Sequence, residues 1–477
     1  MSKLSLSFLC LLLWSVVASG QETWSLERCI RESLENSLTL QQVKLFKDGY
    51  EIDAKRLRME RLPSLNASSD LGVSFGRRVN PVTNDFETEN SFYQSIGLNS
   101  GVVVFNGFRL RNSIRQNDLL LSASTEDIRQ AENDLALNVA LAYLNVLFAY
   151  ENLEIAQARV GLTQNQINHL DKQIKAGSKP ENDMFELLAQ VANDEQSIVI
   201  AQNNIDINLL TLKQQMLMDP DYPLVIERPE IDLASLEALE NQSMEAVYNA
   251  SLSTQPQVTA AELRQQAEEY NVDIAKSAMI PSLTLGGNIG SNWSDLAKEG
   301  EGPYIIQRIP KPGVFINGQE ALYEESFEIP SSINTIPYIT QLDNNLGYGV
   351  GASVSIPIFN NYSGRAGVER AKIGVINSKI ETDLVKQNLK TNVQNAIASA
   401  RAARKTLDAA EASVTAARIA LKNADRLSEL GSLNNFEYLS ARSRFDTAEL
   451  NLLIAKYDYI FKVKVIEYYL GRGIGLN

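Results

Sequence analysis

Apolar and polar positions alternate along four short segments of the chain, each of which leads into or follows a segment with helical spacing. The alternation is clearest over residues 346–359, where apolar side chains occupy the even positions and Gly or Ser occupies most odd ones. A period of two over roughly ten residues predicts a β-strand with one apolar face. The predicted strands cover residues 64–75, 92–105, 282–293 and 346–359.

Two long segments with helical spacing follow the second and fourth predicted strands. Residues 108–176 contain no proline, so one helix could extend roughly 100 Å at ~1.5 Å per residue. Its apolar residues recur at alternating spacings of three and four, as in a coiled-coil seam, and residues 365–430 repeat this pattern with many alanines. A Gly-Ser pair ends each long helix, and returning helices are predicted over residues 181–218 and 435–470.

Short matching motifs relate the two halves of the chain. Pro-Ser-Leu at residues 63–65 recurs at residues 281–283, an offset of 218. VFNGFRLR, which begins at Val104, corresponds to IFNNYSGR, which begins at Ile358, an offset of 254. These matches in the same order predict a tandem duplication.

The duplication divides the chain into repeats. Repeat 1 spans residues 21–218 and repeat 2 spans residues 244–477, and each is predicted to open with one helix before its two strands. The proline-containing segment 219–243 is predicted to join the repeats as an equatorial connector. The larger offset of the second motif places an insertion between the last two strands, where residues 295–345 carry five prolines and are predicted to form a long loop.

The N-terminus has the pattern of an export signal. Lys3 precedes an apolar run, and Ala18-Ser19-Gly20 ends it with small residues, so we predict a signal peptide over residues 1–20. Cys29 is then the one cysteine left, which excludes an intrachain disulfide. The longest later run without a charge, residues 135–150, is too short for a membrane-spanning helix.

Charge and composition exclude several classes of function. The chain has 44 Lys plus Arg, 58 Asp plus Glu and a net charge of -14, which argues against a nucleic-acid partner. Its one histidine, His169, lies among polar residues of the first long helix, which is typical of an exposed position rather than of a general base. One cysteine and one histidine cannot form a nitrogen and sulfur metal site. We therefore predict no enzyme activity, no catalytic residues, no metal site and no cofactor.

An exported chain without a membrane-spanning helix can still be a membrane protein if it contributes strands to a closed barrel. Phe92, Trp293 and Tyr348 lie near strand ends, as in the aromatic girdle of a membrane barrel, and the positions that alternate with the apolar ones are small or polar. The alternative is a soluble sheet with one face on a core. Four strands cannot close a barrel, and unpaired strand edges are not tolerated in hydrocarbon.

Several copies must then share one barrel. Two copies would supply eight strands around a filled interior, whereas three supply twelve and can leave a lumen. The small polar residues that face inward favour the open option of three copies and twelve strands. The long helices would continue below this barrel as a coiled-coil wall that reaches about 100 Å into the periplasm. Residues 295–345 would form an extracellular loop that partly covers the mouth.

The repeated order of helix, two strands and two helices resembles the TolC-like outer-membrane efflux proteins. The resemblance covers the mature chain and includes the Pro-Ser-Leu motifs and the FNG or FNN junctions that precede Arg111 and Arg365. It implies a mainly α protein with a membrane β-barrel, located in the bacterial outer membrane with a large periplasmic extension. The implied barrel is homotrimeric and twelve-stranded, with four strands per chain in outer-membrane lipid, and is continuous with a long periplasmic α-helical coiled-coil barrel. This similarity also implies a homotrimer that works with a periplasmic adaptor (membrane fusion protein) and an inner-membrane transporter of the RND, ABC or MFS type.

The resemblance also implies candidate functional sites in this chain. Adaptor docking is expected at the helix-turn tips, although an ordinary capped hairpin would explain the same residues. The docking candidates are Gly177, Ser178, Gly431 and Ser432.

A periplasmic gate is expected just beyond the second tip. Glu437 matches one acidic position of the family, whereas Ser440 stands at the second, so the acidic pair of the family is incomplete here. Glu186, in the analogous FELL sequence, is a second gate candidate. The alternative for Glu186 is a solvated helix carboxylate.

The function predicted from these features is that of an exit duct. It would serve a tripartite efflux or type I secretion system and passively conduct substrates to the exterior, and an acidic lumen would favour cations. One alternative is a non-conducting structural or adhesive outer-membrane coiled-coil protein. Another is the periplasmic adaptor itself, which also has a helical hairpin but does not require two pairs of barrel strands.

Overall fold

The fold is described from a computed structural model of the chain. The described residues are 23–79, 86–229, 242–311, 313, 315–320, 323–430 and 432–473. The predicted features that lie wholly or partly outside them are the signal peptide over residues 1–20, the connector at residues 230–241, the long loop at residues 312, 314, 321 and 322, and Gly431.

Nine helices are described. Their bounds are α1 Leu26–Asn36, α2 Leu38–Met59, α3 Arg109–Lys175, α4 Asn182–Gln215, α5 Met244–Thr254, α6 Pro256–Ser277, α7 Tyr338–Asn344, α8 Ser363–Glu429 and α9 Asn435–Tyr469. No helix among these described segments is long and apolar enough to cross a bilayer.

Eight strands are described, and four of them form one antiparallel sheet of order β1-β2-β3-β8. The other four form two separate hairpins, β4 with β7 and β5 with β6. Strand bounds are β1 Ser64–Val79, β2 Phe86–Asn106, β3 Ser282–Ser294, β4 Lys298–Lys311, β5 Phe315–Ile316, β6 Gln319–Glu320, β7 Tyr323–Thr335 and β8 Gly347–Ser355.

The chain separates into two compact units. The helical unit comprises Met1–Glu51, Asp118–Glu268 and Gly374–Asn477, and the sheet unit comprises Ile52–Asn117 and Glu269–Ile373. In the helical unit the middle parts of the predicted seams are buried. Residues on α3 and α8 that contribute to its core include Val139, Val146, Leu389, Val393 and Leu407.

The structure differs from the sequence-based prediction at two places. The single helix predicted at the start of each repeat is instead a pair, α1 with α2 and α5 with α6, and Pro256 opens the second member because proline suits a first helical position. The loop predicted over residues 295–345 instead contains the β4–β7 hairpin and α7. Its prolines are tolerated because a two-stranded ribbon has only edge strands, with Pro330 opposite Tyr304.

Several predicted boundaries also shift. Strand β2 begins at Phe86, earlier than the predicted residue 92, and β8 ends at Ser355, where Pro357 follows without a backbone N–H to donate. Helix α4 ends at Gln215, and Leu217 then has a φ of 52°, a left-handed conformation that cannot continue the helix.

Helix bounds recur at the two sequence offsets. Adding 218 to the bounds of α1 and α2 gives those of α5 and α6, and adding 254 to the bounds of α3 gives those of α8. We call two residues counterparts when they are related by 218 up to the first strand of each half, or by 254 from the second strand onward.

Contacts and pairing recur in the same way. The hydroxyl of Ser33 donates to the carbonyl of Gln215 at 2.6 Å, and its counterpart Ser251 donates to the carbonyl of Tyr469 at 3.0 Å. In the sheet, β1 pairs with β2 so that Ser64 faces Gly101, and β3 pairs with β8 so that their counterparts, Ser282 and Ser355, face each other.

The FNG and FNN motifs form the junctions between strand and long helix. Gly107 and Phe108 have φ values of 64° and 67°, and their counterparts Asn361 and Tyr362 have 51° and 67°. A Cβ on Gly107 would lie 2.9 Å from the Cβ of Ile280, so close packing as well as conformation requires glycine there. Asn is among the few other residues that adopt this conformation readily.

The described N-terminus is fastened to the connector. Trp24 forms a parallel bridge with Ile226, and the fully buried Tyr143 of α3 donates its hydroxyl towards the carbonyls of Trp24 at 3.0 Å and Glu227 at 2.6 Å. Burial raises the pKa of the Tyr143 hydroxyl, so it stays protonated and able to donate. One side chain therefore joins three separate parts of the sequence.

We expect Tyr143→Phe to lower the free energy of unfolding by ~0.5–1.5 kcal/mol, because it removes the hydroxyl that donates to the carbonyls of Trp24 and Glu227. The measurement is thermal or urea unfolding in detergent, followed by helical circular dichroism. Tyr222→Phe is the control, since Tyr222 contacts Trp24 through its ring and that contact is kept. Equal stability of Tyr143→Phe and the wild type would contradict the role given to this hydroxyl.

Candidate docking and gating site

The first helix-turn tip has the geometry of a Schellman motif. Gly177 has a φ of 75°, its N–H donates to the carbonyl of Ile174 at 2.9 Å, and the Ser178 N–H donates to the carbonyl of Gln173 at 3.0 Å. A Cβ at Gly177 would meet nothing within 4 Å, so conformation and not packing selects glycine. Ser178 is exposed, and its hydroxyl donates to the same Gln173 carbonyl at 3.0 Å.

The second tip repeats these contacts where it is described. The Ser432 N–H donates to the carbonyl of Leu427 at 2.9 Å and its hydroxyl donates to that carbonyl at 3.1 Å, the counterparts of the Ser178 contacts. Gly431 lies outside the described residues. Asn434 then caps α9, since its side-chain oxygen accepts from the Glu437 N–H at 2.8 Å.

Both gate candidates lie near the tips on exposed surface. Glu437 occupies the third position of α9, where a carboxylate also interacts favourably with the positive end of the helix dipole. Glu186 is exposed in the second turn of α4. Both residues therefore lie on the surface of the helical unit.

Residues next to the two tips line a common cavity of about 350 Å³. Gln173, Lys179 and Asp183 come from the first hairpin, and Asp425 and Leu433 come from the second. The structure thus brings the two hairpin ends together in one chain. His169 also lines this cavity and is exposed, as predicted for a polar helix position.

The wall of the cavity includes part of a buried polar layer that the sequence analysis missed, since Arg442 and Tyr438 also line the cavity. Arg442 on α9 is only 3% exposed, lies 3.6 Å from the Asp446 carboxylate and donates to the carbonyl of Arg159 on α3 at 3.0 Å. The Arg159 guanidinium lies 3.7 Å from the same carboxylate and donates to the Asp446 carbonyl. Two guanidiniums on different helices therefore share one carboxylate.

Burial governs the titration of this layer. It raises the pKa of the Asp446 carboxyl above its usual range, although Arg159 and Arg442 both act to lower that pKa. Burial and the nearby Asp425 carboxylate likewise raise the pKa of the Tyr438 hydroxyl, which accepts a hydrogen bond from the amide of Gln166. Tyr438 therefore stays protonated, and it joins α9 to α3 close to the tips.

One member of this polar layer, Asp194, could have been predicted from the spacing of apolar residues in the returning helix α4. The buried residues of α4 include Leu187, Asp194 and Ala201 at intervals of seven, which is a seam spacing with one acidic member. Asp194 accepts hydrogen bonds from Thr163 of α3 and, at 2.8 Å, from Gln190. The Arg442 contacts have no such signal, because their partner Arg159 is 283 residues away.

No group of His, Cys, Asp or Glu side chains among the described residues could hold a metal ion.

The sequence and the fold are both similar to those of known outer-membrane proteins. The family model for outer membrane efflux proteins matches residues 29–216 and 247–472. The chain is 19% identical to the outer membrane efflux protein BepC of Brucella suis over 90% of this chain and 84% of that protein. It is 24% identical to the cation efflux system protein CusC of Escherichia coli O157:H7, over 94% and 85% respectively.

A solved structure agrees in fold. The outer membrane protein VceC of Vibrio cholerae superposes with a TM-score of 0.71 at 17% identity, covering 94% of this chain and 96% of that one.

We expect Arg442→Ala to lower the free energy of unfolding by ~3–5 kcal/mol at neutral pH, because it leaves the buried Asp446 carboxylate with one guanidinium fewer. The loss should shrink as pH falls through the raised pKa of Asp446, since a protonated carboxyl no longer attracts the guanidinium. Unfolding in detergent at neutral and acidic pH measures both effects.

Arg444→Ala is the matched control for this experiment, because Arg444 is exposed two residues along the same helix. A loss of stability that is the same for both arginines, or that is independent of pH, would contradict the role of the ion pair.

Proposed function

The chain belongs to the outer membrane efflux protein family, and from that membership we propose that it forms the exit duct of a tripartite efflux or type I secretion system. Members of this family are transport channels of the outer membrane and not enzymes, which makes this chain an outer-membrane efflux channel. We propose that it has no catalytic role of its own and conducts its cargo passively.

The sheet unit supports a shared membrane barrel. One face of the four-stranded sheet carries large apolar side chains in open contact with solvent, with Leu71 75% exposed and Val350 95% exposed. The opposite face is lined mainly by Gly, Ser and Asn. We propose that the apolar face contacts lipid, and that three copies supply twelve strands around an open lumen.

The helical unit supports a periplasmic duct. The 67-residue helices α3 and α8 each reach roughly 100 Å at ~1.5 Å per residue, and their seams are buried as in a coiled coil. We propose that the long helices and their returning partners form the wall of a helical barrel in the periplasm.

We propose that the exposed tips meet the other components of the system. Gly177, Ser178, Gly431 and Ser432 would dock a periplasmic adaptor, which links the duct to an inner-membrane transporter of the RND, ABC or MFS type. Support comes from the pair of Ser178 and Ser432, which present the same backbone geometry on adjacent hairpins. Glu437 and Glu186, exposed just beyond the tips, are the proposed gate residues.

We expect the purified protein to conduct ions in planar bilayers and to prefer cations over anions. Conductance is the result that would distinguish a duct from a non-conducting adhesive coiled coil. Glu437→Gln combined with Glu186→Gln should reduce the cation preference, because two negative charges per chain leave the proposed gate. Single-channel currents and reversal potentials in a salt gradient measure both properties.

Glu35→Gln on α1, also an exposed carboxylate, is the control for charge alone and should leave the reversal potential unchanged. A protein that never conducts, even with both gate residues replaced by Ala, would count against the duct.

The β4–β7 hairpin lies in the segment for which we propose an extracellular position. We therefore expect Phe315→Cys to react with a membrane-impermeant maleimide on intact cells, since Phe315 is exposed at the small β5–β6 turn. Ser178→Cys, at the proposed periplasmic tip, should react only after the outer membrane is permeabilised. Labelling of Ser178→Cys, or protection of Phe315→Cys, on intact cells would contradict the proposed orientation.

A further inference from the structure

Helix α7 lies against the apolar face of the four-stranded sheet. Gln94 of β2 pairs with Leu71 on one side and with Trp293 of β3 on the other, which places all three side chains on that face. Tyr338 of α7 contacts two of them. Its hydroxyl donates to the side-chain oxygen of Gln94 at 2.7 Å, and its ring centroid lies 5.7 Å from that of Trp293.

Further hydrogen bonds fasten α7 to the end of β3. The Ser291 hydroxyl donates to the carbonyl of Leu342 at 2.6 Å, and Ser291 shares the face of Trp293 because the two residues are two positions apart on one strand. Gln341, only 2% exposed, accepts from the Ser294 N–H at 2.9 Å through its side-chain oxygen. The short helix is therefore held to the sheet at several of its residues.

The side of α7 that faces away from the sheet is amphipathic. Ile339 is 71% exposed, and it lies beside the exposed Tyr338 and the partly exposed Trp293. Thr340 and Asp343 are also exposed and give the helix a polar side. Tyrosine and tryptophan favour the boundary between hydrocarbon and headgroups, where the ring contacts apolar chains and the polar group stays hydrated.

We propose that α7 is an interfacial helix that contacts lipid of the outer leaflet through Ile339 and the aromatic rings beside it. An amphipathic helix of this kind lies in the plane of the membrane at headgroup depth. The inference rests on the membrane barrel proposed above, because it extends the lipid-contacting face of the sheet onto a helix from the segment proposed to be extracellular.

The position of α7 along the strands agrees with headgroup depth. On the apolar face of β1, uncharged side chains continue to Phe75, and Arg77 is the first charged residue. In the other direction, Val350 pairs next to Gly287, which comes six residues before Trp293 on β3, or about 20 Å at ~3.4 Å per residue. Helix α7 therefore lies near the charged end of the apolar face, and Val350 lies well inside that face.

Lipid fits this surface better than a second copy of the chain does. Helix α7 contacts β2 and β3, which are the two inner strands, whereas a second copy would meet the sheet at its edges, β1 and β8. The apolar face continues from α7 onto the sheet without a charged residue between Leu71 and Phe75. A protein partner on Ile339 would instead shield this residue from lipid and from water alike.

Tryptophan quenching by labelled lipid measures the contact. Trp24 and Trp293 are the tryptophans outside the predicted signal peptide, so Trp24→Phe with Trp293→Phe gives a background without tryptophan, whose folding is checked by circular dichroism and channel conductance. Into this background go three single changes at exposed positions, namely Ile339→Trp on α7, Val350→Trp in the sheet and Ile316→Trp in the β5–β6 hairpin. Each full chain is reconstituted in phosphatidylcholine vesicles that carry a nitroxide either on the headgroup or near the end of an acyl chain.

We expect Ile339→Trp to lose more fluorescence to the headgroup nitroxide than to the acyl-chain nitroxide. Val350→Trp should show the reverse order, and Ile316→Trp should lose little to either. If Val350→Trp is quenched and Ile339→Trp is not, the interfacial helix is wrong and the membrane barrel stands. Stronger quenching of Ile339→Trp by the acyl-chain nitroxide would also overturn the headgroup position. Absence of quenching at Val350→Trp would contradict the membrane barrel itself.

A spin label on Ile339→Cys repeats the test in a chain that keeps both tryptophans. Cys29 does not compete for the label, because it is fully buried and burial raises its pKa to about 12. Collisions with oxygen report hydrocarbon and collisions with a nickel chelate report water, so we expect the ratio at Ile339→Cys to lie between those at Val350→Cys and Ile316→Cys. A ratio equal to that at Ile316→Cys would reject lipid contact, and protection from both collision partners would indicate a protein in place of lipid.

Discussion

Backbone groups that enter hydrocarbon must be paired, and this constraint governs the sheet unit. A four-stranded sheet satisfies its inner strands but leaves one row of N–H and C=O groups at β1 and another at β8. The apolar face of the sheet does not pack on a core in the single chain, since Leu71 and Val350 are both exposed. Both features support the proposal that further copies of the chain close the sheet.

The helical unit must also satisfy backbone groups, and there side chains supply some of the hydrogen bonds. Its long helices are joined by small-residue seams, while hydroxyl groups such as those of Ser33 and Ser251 satisfy carbonyls at the ends of the returning helices. The same solution occurs at both sequence offsets, down to the left-handed residues after each second strand. Two halves of low sequence similarity therefore retain the positions where geometry leaves few choices of residue.

Features that repeat with a short period could be predicted from the sequence, because the period itself reports which face is covered. The four main strands, the long helices with their buried residues such as Val139 and Leu389, and the tips at Ser178 and Ser432 belong to this group. The break between α1 and α2 was missed because Ser37 interrupts helical spacing only briefly. The β4–β7 hairpin was missed because its prolines suggest a loop when the strand partners are unknown.

The candidate site was only partly accessible to such reasoning. Glu437 and Glu186 were found by resemblance, whereas Arg442 in an ordinary i, i+4 arrangement with Asp446 reads as a surface ion pair. Its burial depends on Arg159, which reaches it from the other hairpin. Contacts between residues hundreds of positions apart leave no periodic trace in one sequence.

The polar layer around Arg442 has a mechanical consequence. Its counterparts Leu188 and Ala192 carry no charge. In the trimer that we propose, a joint with shared guanidiniums would therefore alternate with an apolar one. Separating the two hairpins of a single chain breaks ion pairs that are largely shielded from water. Each chain of the proposed trimer would therefore move as one rigid unit, and the tube would widen first along the boundaries between chains.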